Sequence, residues 1–296
     1  MNAPIRPLTS REFSMFRTLV ERETGIHLAD VKQALVHARL LARTRELGLR
    51  TFSDYYDRVV DGGDDELVVM INAICTNETH FFREPAQFDL LEGSLVPRWI
   101  DEADHGLRPR RVRVWSAACS TGEEPYSIAM LLLARLPSEW SIEILATDLS
   151  TKVLAKAAAA TYSMQRLADV PSDLQHAYLL RGVGSQEGKF RVAARVRKIV
   201  EFRRENLIAL ESVPNRYFDL VFCRNVLMYF EASRREMVVR RIMKRLPSRG
   251  YLFLGDAEGL GSFPGMRLLV PSVYTFTANA EAHRAAEAEA ESKAAR

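Results

Sequence analysis

Residues 114–128 read VWSAACSTGEEPYSI. An apolar strand runs into a cluster of tiny side chains, then two glutamates, then the start of a helix. Ala117, Ala118, Ser120, Thr121 and Gly122 stand together where strand hands over to helix, and small residues at such a place let something approach the backbone closely. The rhythm around the stretch repeats it. A strand is expected over 111–118 and a helix over 124–136, ended by Pro137. SIEILATD (141–148) reads as a strand and STKVLAKAAAA as the helix after it. A strand over 218–225, a helix over 232–246 and a strand over 250–256 follow. Short apolar strands separated by amphipathic helices predict an α/β fold with a mostly parallel, doubly wound sheet. The segment 268–278 is expected to add two strands, at least one antiparallel. Residues 176–200 carry two β-like arms around a Gly-rich turn and predict an inserted hairpin or small antiparallel sheet.

Before residue 76 the period is helical. Thr9 or Ser10 caps a run with Phe13, Phe16, Leu19 and Val20 at helical spacing, and Gly25 breaks it. Helices are expected over about Val31–Leu47 and Phe52–Val60, and a fourth after the GGDD turn at 62–65. This is a small all-helical domain. The chain divides into that domain (1–75), a linker (76–90), the α/β domain (91–277) and an Ala-rich charged tail (278–296) expected to be mobile.

Composition excludes more than it selects. The 296 residues are 47% apolar and 27% charged with a net charge of +3, an ordinary globular balance that marks no nucleic-acid or membrane binder. Apolar runs fall well short of the roughly 18–20 residues that span a bilayer, and the N-terminus lacks the apolar core of a signal peptide, so a cytoplasmic location is expected. Cys75, Cys119 and Cys223 lie far apart, so no metal site or disulfide framework is expected.

In an open α/β sheet, ligands sit beyond the carboxyl ends of the strands. The tiny cluster, Asp148, Arg224 with Asn225, and Asn206 after KIVEFRRENL all fall at such ends. A carboxylate closing a strand can accept both ribose hydroxyls of a nucleotide. GxGxxG and a Walker lysine are both missing, which disfavours pyrophosphate and phosphoryl ligands. Glu123 and Glu124 would repel phosphate and attract a cation; the alternative is a solvated acidic first turn favoured by the helix dipole. A phosphate-free, ribose-bearing cationic ligand matches S-adenosylmethionine.

TNETHFFRE (76–84), WSAACSTGEEPYSIAM (115–130), ATDLS (146–150), FRRENL (202–207), FCRNVLMYF (222–230) and GDAEGL (255–260) together resemble the CheR family, the bacterial chemoreceptor glutamate O-methyltransferases. The resemblance runs from about residue 9 to 277. It implies an all-helical receptor-recognition domain joined to a Rossmann-like class I methyltransferase domain with an inserted antiparallel β-subdomain. It implies S-adenosylmethionine as cofactor and glutamates on chemoreceptor cytoplasmic helices as substrate, with the enzyme acting as a monomer. It places Asn77, Thr79, Arg83, Ala117, a glutamate of the GEE triplet, Asp148, Asn206, Leu207, Arg224 and Asn225 around the cofactor. Glu123 is favoured over Glu124 because it lies nearer the strand end. Arg83 and Tyr229 match positions flanking the transferred methyl group. His80 stands at a position that varies in the family.

Lys32, Arg39, Arg43 and Arg50 are spaced 7, 4 and 7 and fall close to one line along a helix. With Leu35, Ala38, Leu41 and Ala42 expected on the opposite, apolar side, they predict a basic stripe for acidic receptor helices; a solvated face is the alternative. Gly182, Gly184 and Gly188 resemble the loop by which some family members capture a receptor C-terminal pentapeptide through strand addition. Two other functions compete: an RNA methyltransferase using the basic stripe, and a non-catalytic cofactor sensor.

Overall fold

The computed structural model describes residues 5–280 except 63, 76 and 279. Of the expected mobile tail, only Ala278 and Ala280 lie within the described residues. The helical domain comprises α1 (Ser10–Thr24), α2 (Gln33–Glu46), α3 (Phe52–Asp61) and α4 (Asp64–Ile74). Both α1 and α3 begin with reciprocal caps: Thr9 with Glu12, and Thr51 with Asp54. Gly25 ends α1 in the left-handed region at φ 78°. Phe13, Phe16, Leu40, Phe52, Tyr55 and Met70 close the core between these helices.

The expected linker is shorter than predicted. Pro85, fixed at a helical φ, opens α5 (Pro85–Leu90), which runs through a π turn at Leu91–Leu95 into α6 (Val96–Asp104). The α/β units follow: β1 (Arg111–Ala117), α7 (Glu123–Arg135), β2 (Ser141–Asp148) and α8 (Thr151–Ala159). Next come β3 (Thr161–Ser163), α9 (Ser172–Tyr178), β4 (Leu179–Arg181), β5 (Lys189–Val192), α10 (Ala194–Arg197) and β6 (Val200–Arg204). The chain closes with β7 (Leu220–Cys223), α11 (Ala232–Met243), β8 (Tyr251–Leu254), β9 (Met266–Val270) and β10 (Val273–Phe276).

The main sheet has the order β6-β2-β1-β7-β8-β10-β9. The first five strands are parallel; β10 and β9 are antiparallel additions. Strands β7 and β8 are buried along their whole length, so they read as continuous apolar runs rather than alternating ones. The chain moves outward from β1 to β2 and β6, then returns to β7 on the other side of β1. That reversal is the switch point where such sheets bind ligands.

The insert is larger than the expected hairpin. Its sheet has the order β3-β5-β4, so it begins at Thr161, well before residue 176. At its far end, 194–197 is helix and 200–204 belongs to the main sheet. The three-residue β3 carries too short a pattern to announce itself, and only pairing with β5 makes it a strand.

The two domains meet across the carboxyl ends of the parallel strands. Asn206 donates from Nδ2 to the Glu23 carbonyl at 2.7 Å, and the His27 N–H donates to the Tyr229 carbonyl at 2.7 Å. A Cβ on Gly25 would lie 2.7 Å from Ile208 Cγ2, so glycine is needed here for close approach as well as for the cap. Among the described residues, no helix is long and apolar enough to cross a membrane.

Candidate active site

The turn after β1 is built from unusual backbone. Ala118 (φ 65°), Ser120 (φ 49°) and Gly122 (φ 94°) all take positive φ, which is sterically uncommon for a side chain larger than hydrogen. Tertiary hydrogen bonds hold it: Cys119 N–H donates to the Thr147 carbonyl at 2.9 Å, and Ser120 N–H to Asp148 Oδ2 at 2.9 Å. The small residues have two separate reasons. A Cβ on Gly122 would lie 2.8 Å from Ala157 Cβ, so this glycine yields to α8 rather than to a ligand. Ala118 and Ser120 instead face a cleft of about 1310 Å³, open mouth included, between the two domains.

The cleft gathers most of the residues singled out in the sequence. Asn77, Thr79 and Arg83 reach it from the linker, and Glu124 from the first turn of α7. Asp148 closes β2, Asn206 and Leu207 follow β6, and Arg224, Asn225 and Tyr229 follow β7. The helical domain supplies the opposite wall with Ile26, Leu28, Val36 and Arg39.

Two expected members stand elsewhere. Ala117 is fully buried in the core on one face of the sheet, and the cleft side is taken by Ala118, whose left-handed φ turns its methyl out. Glu123 points away beneath the turn, where its Oε2 accepts from Thr121 Oγ1 at 2.5 Å and its Oε1 lies 3.8 Å from Arg166. Helical geometry separates consecutive side chains by about 100°, and of the pair Glu124 alone lines the cleft. The favoured Glu123 does not.

The electrostatics centre on three carboxylates, Asp148, Glu124 and Glu84, and one guanidinium. Asp148 accepts one backbone N–H on each oxygen, from Ser120 and from Ser150, both at 2.9 Å. Burial raises its pKa, and those N–H groups oppose the rise. Glu124 is pushed up by burial as well, against the pull of Arg224 and of Ser116, whose hydroxyl donates to Oε1 at 2.6 Å. Arg224 sits between Glu124 and Glu84, its side chain only 2% exposed. Arg83 donates to the Glu78 carbonyl at 3.1 Å and stays half-exposed at the mouth.

Three supporting acids escaped the sequence reading. Glu84 accepts from Arg224, Asn225, Gln87 and the Asp256 N–H. Glu258 accepts the N–H groups of Asn225, Gly255 and Met228, fixing the turn after β7. Glu205 does the same for the turn after β6, through the N–H groups of Asn206, Ser212 and Val213. Each lies inside a motif quoted above. A signal was available for Glu205 alone, an acid directly after an apolar strand end, where a buried charge needs donors.

The basic row divides in the structure: Lys32 and Arg50 are exposed, whereas Arg39 and Arg43 are partly buried. The buried face of α2 is Val36, Leu40 and Thr44, and Arg39 and Arg43 flank it. Leu35, Ala38 and Ala42, from the side expected to be apolar, are exposed. Arg43 forms a two-point pair with Glu66 at 2.9 and 2.6 Å, and Tyr55 donates to the same carboxylate at 3.1 Å. Arg39 donates to the Ile74 carbonyl, Lys32 precedes α2, and Arg50 lies past its end. Periodicity aligned these side chains correctly, yet the partner helix α4 claims the middle of the row. Gly182, Gly184 and Gly188 lie in the connection between β4 and β5, the last two at positive φ, beside β4, an edge strand of the insert.

Comparison with known proteins matches this layout. Residues 11–75 match the family described as CheR methyltransferase, all-alpha domain, and residues 77–274 match CheR methyltransferase, SAM binding domain. The chain is 39% identical to chemotaxis protein methyltransferase 2 of Pseudomonas aeruginosa over 251 residues, covering 84% of this chain and 87% of that one. It is 38% identical over 257 residues to the chemotaxis protein methyltransferase of Escherichia coli, covering 85% of each chain. Among solved structures, a glycopeptide N-methyltransferase complexed with S-adenosylmethionine aligns over 60% of each chain at 19% identity, with a TM-score of only 0.32.

Proposed function

We propose, from the premise that the chain belongs to the CheR methyltransferase family and is a chemotaxis protein methyltransferase using S-adenosylmethionine, that its methyl acceptors are glutamate carboxylates of chemoreceptor cytoplasmic domains. One observation carries this reading: a cleft at the switch point of the sheet that unites Asp148, Glu124, Arg83 and Tyr229 under the helical domain. The donor and acceptor set fits the cofactor. Asp148 retains acceptor capacity for ribose hydroxyls, Glu124 offers a carboxylate to an amino group, and Ala118 and Ser120 leave room for a sugar. Nothing on the turn is arranged to neutralise a phosphate.

When bound, the cofactor supplies an electrophilic methyl carbon on a positively charged sulfur and leaves as S-adenosylhomocysteine. An acceptor glutamate has an ordinary pKa of about 4.3 and is already ionised at neutral pH, so no general base is required. The work left to the protein is alignment and exclusion of water. Arg83, at the mouth, can orient the acceptor through a paired contact, and Tyr229 can shape its path.

The receptor would approach over the mouth, where Lys32 is exposed beside the wall formed by Leu28 and Arg39. Edge strand β4, with the turn holding Gly182, Gly184 and Gly188, would take a receptor C-terminal peptide as an added strand. The enzyme would act as a monomer. The test is transfer of a tritiated methyl group to purified receptor cytoplasmic fragments. Base-labile label is expected, as for carboxyl esters, whereas base-stable label would reject carboxylate chemistry.

A further inference from the structure

The triad Glu84–Arg224–Glu124, with its arginine buried, contains a carboxylate that the reading above does not use. Arg224 presents its Nε and Nη2 edge to Glu84 Oε2, at 3.1 and 2.9 Å, and Nη2 also donates to the Arg83 carbonyl. Only Nη1 reaches Glu124, with a single contact of 3.3 Å to Oε2. Glu84 is itself anchored by Gln87 Nε2 at 3.0 Å, the Asp256 N–H at 3.1 Å and Asn225 Nδ2 at 3.3 Å. The guanidinium is therefore held against Glu84 by two nitrogens that converge on one oxygen, against a single longer contact to Glu124. Glu124 keeps a strong bond from Ser116 on one oxygen and a long one from Arg224 on the other, with acceptor capacity left toward the cleft.

Two carboxylates thus compete for one guanidinium. A two-point arginine–carboxylate pair is the stronger geometry, so an arginine that loses one partner turns to the other. Arg224 turned fully onto Glu124 would neutralise it and fill its cleft-facing oxygen. We propose that Glu84 is a positioning residue for cofactor recognition: by occupying the Nε and Nη2 edge of Arg224, it keeps Glu124 available to the α-amino group of S-adenosylmethionine. This rests on the assignment of Glu124 to that amino group.

The consequence is a selectivity, not a general loss. S-Adenosylhomocysteine carries the amino acid portion; 5′-methylthioadenosine carries the same nucleoside and thioether without it. In calorimetric titrations of the full chain, Glu84→Gln is expected to weaken S-adenosylhomocysteine binding by about tenfold or more, the scale of one charge-assisted hydrogen bond. Methylthioadenosine binding is expected to stay within about twofold, because its contacts lie elsewhere. A general distortion of the cleft would weaken both ligands alike, and that result, or no loss at all, overturns the proposal. Glu124→Gln separates the two assignments. If it leaves the ratio of the two affinities at the wild-type value, the amino-group assignment fails. If it lowers the ratio while Glu84→Gln does not, only the role of Glu84 fails. In the Glu124→Gln background, Glu84→Gln is expected to have no further effect on the ratio. Should Glu84→Gln not fold, Glu84→Asp keeps the charge but loses the reach, and a wild-type ratio there overturns the proposal equally.

Discussion

The helical domain and the carboxyl rim of the sheet both bury acids beside arginines, but they use them in opposite ways. In the helical domain, Glu66 is saturated: Arg43 grips both oxygens and Tyr55 adds a third donor. Glu12 is saturated too, by Arg6, Thr9 and Ser53. At the rim, Asp148 and Glu124 are held by fewer donors and keep acceptor capacity toward the cleft. Saturation holds Glu12 down at about 2 and lowers Glu66, whereas burial with fewer donors raises Asp148 and Glu124. A satisfied buried acid is a staple; an under-satisfied one is open to a ligand.

The largest expected effect tests the staple. Glu66→Ala leaves the buried Tyr55 hydroxyl without its partner and strips Arg43 of its two-point contact, leaving it only Glu46 at 3.0 Å, and unfolding in urea is expected to show a loss of about 3 kcal/mol. Cofactor affinity of the folded fraction should stay at the wild-type level, and a specific loss of affinity there would erase the contrast. Next, Asp148→Ala is expected to weaken S-adenosylhomocysteine binding by about 1–3 kcal/mol, read by calorimetry. Unchanged affinity would remove Asp148 from the pocket. Arg83→Ala is expected to slow methyl transfer by about tenfold, with the melting temperature barely moved, because the side chain is half-exposed and bonded to one carbonyl. Wild-type turnover would take Arg83 out of the chemistry.

Two pH series sharpen the comparison with smaller effects. Protonated Glu124 carries no charge for an amino group, and its raised pKa moves that loss upward. Affinity for S-adenosylhomocysteine should therefore begin to fall, as pH drops, above the ordinary carboxylate range, and more steeply than methylthioadenosine affinity, which senses the raised Asp148 but not Glu124. Glu12 has the opposite sign. Its burial works against ionisation, but the bonds from Arg6, Thr9 and Ser53 prevail, so the stability it contributes is present above 4.5 and lost as pH falls toward about 2. Thermal melts between these limits should show that decline, and Glu12→Gln should flatten it.

The elements and the site were not equally legible in the sequence. Strand β2 was read residue for residue, and α3 and β1 to within one residue at one end, because apolar runs bounded by turn residues are local signals. The short β3 was not, since three residues carry no period of their own. Asp148, Asn206 and Arg224 were found because they end strands, a position that topology makes useful. Glu84 and Glu258 were passed over because nothing local distinguishes a buried acid from a solvated one. The inward engagement of Arg39 and Arg43 was missed for a related reason: angular spacing aligns side chains but does not say which neighbour meets them.

From the sequence alone come the main strands and the helices that alternate with them, the α/β class, the switch-point rim and the chemical kind of ligand, since these follow from periodicity and from residue type at strand ends. The tertiary structure alone decides which glutamate of the 123–124 pair faces the cleft, which arginines of α2 are engaged inward, and how Arg224 is shared between two acids. Those outcomes depend on packing between residues up to 140 positions apart, and the free energy of a buried charge is set by the donors around it rather than by its neighbours in the chain.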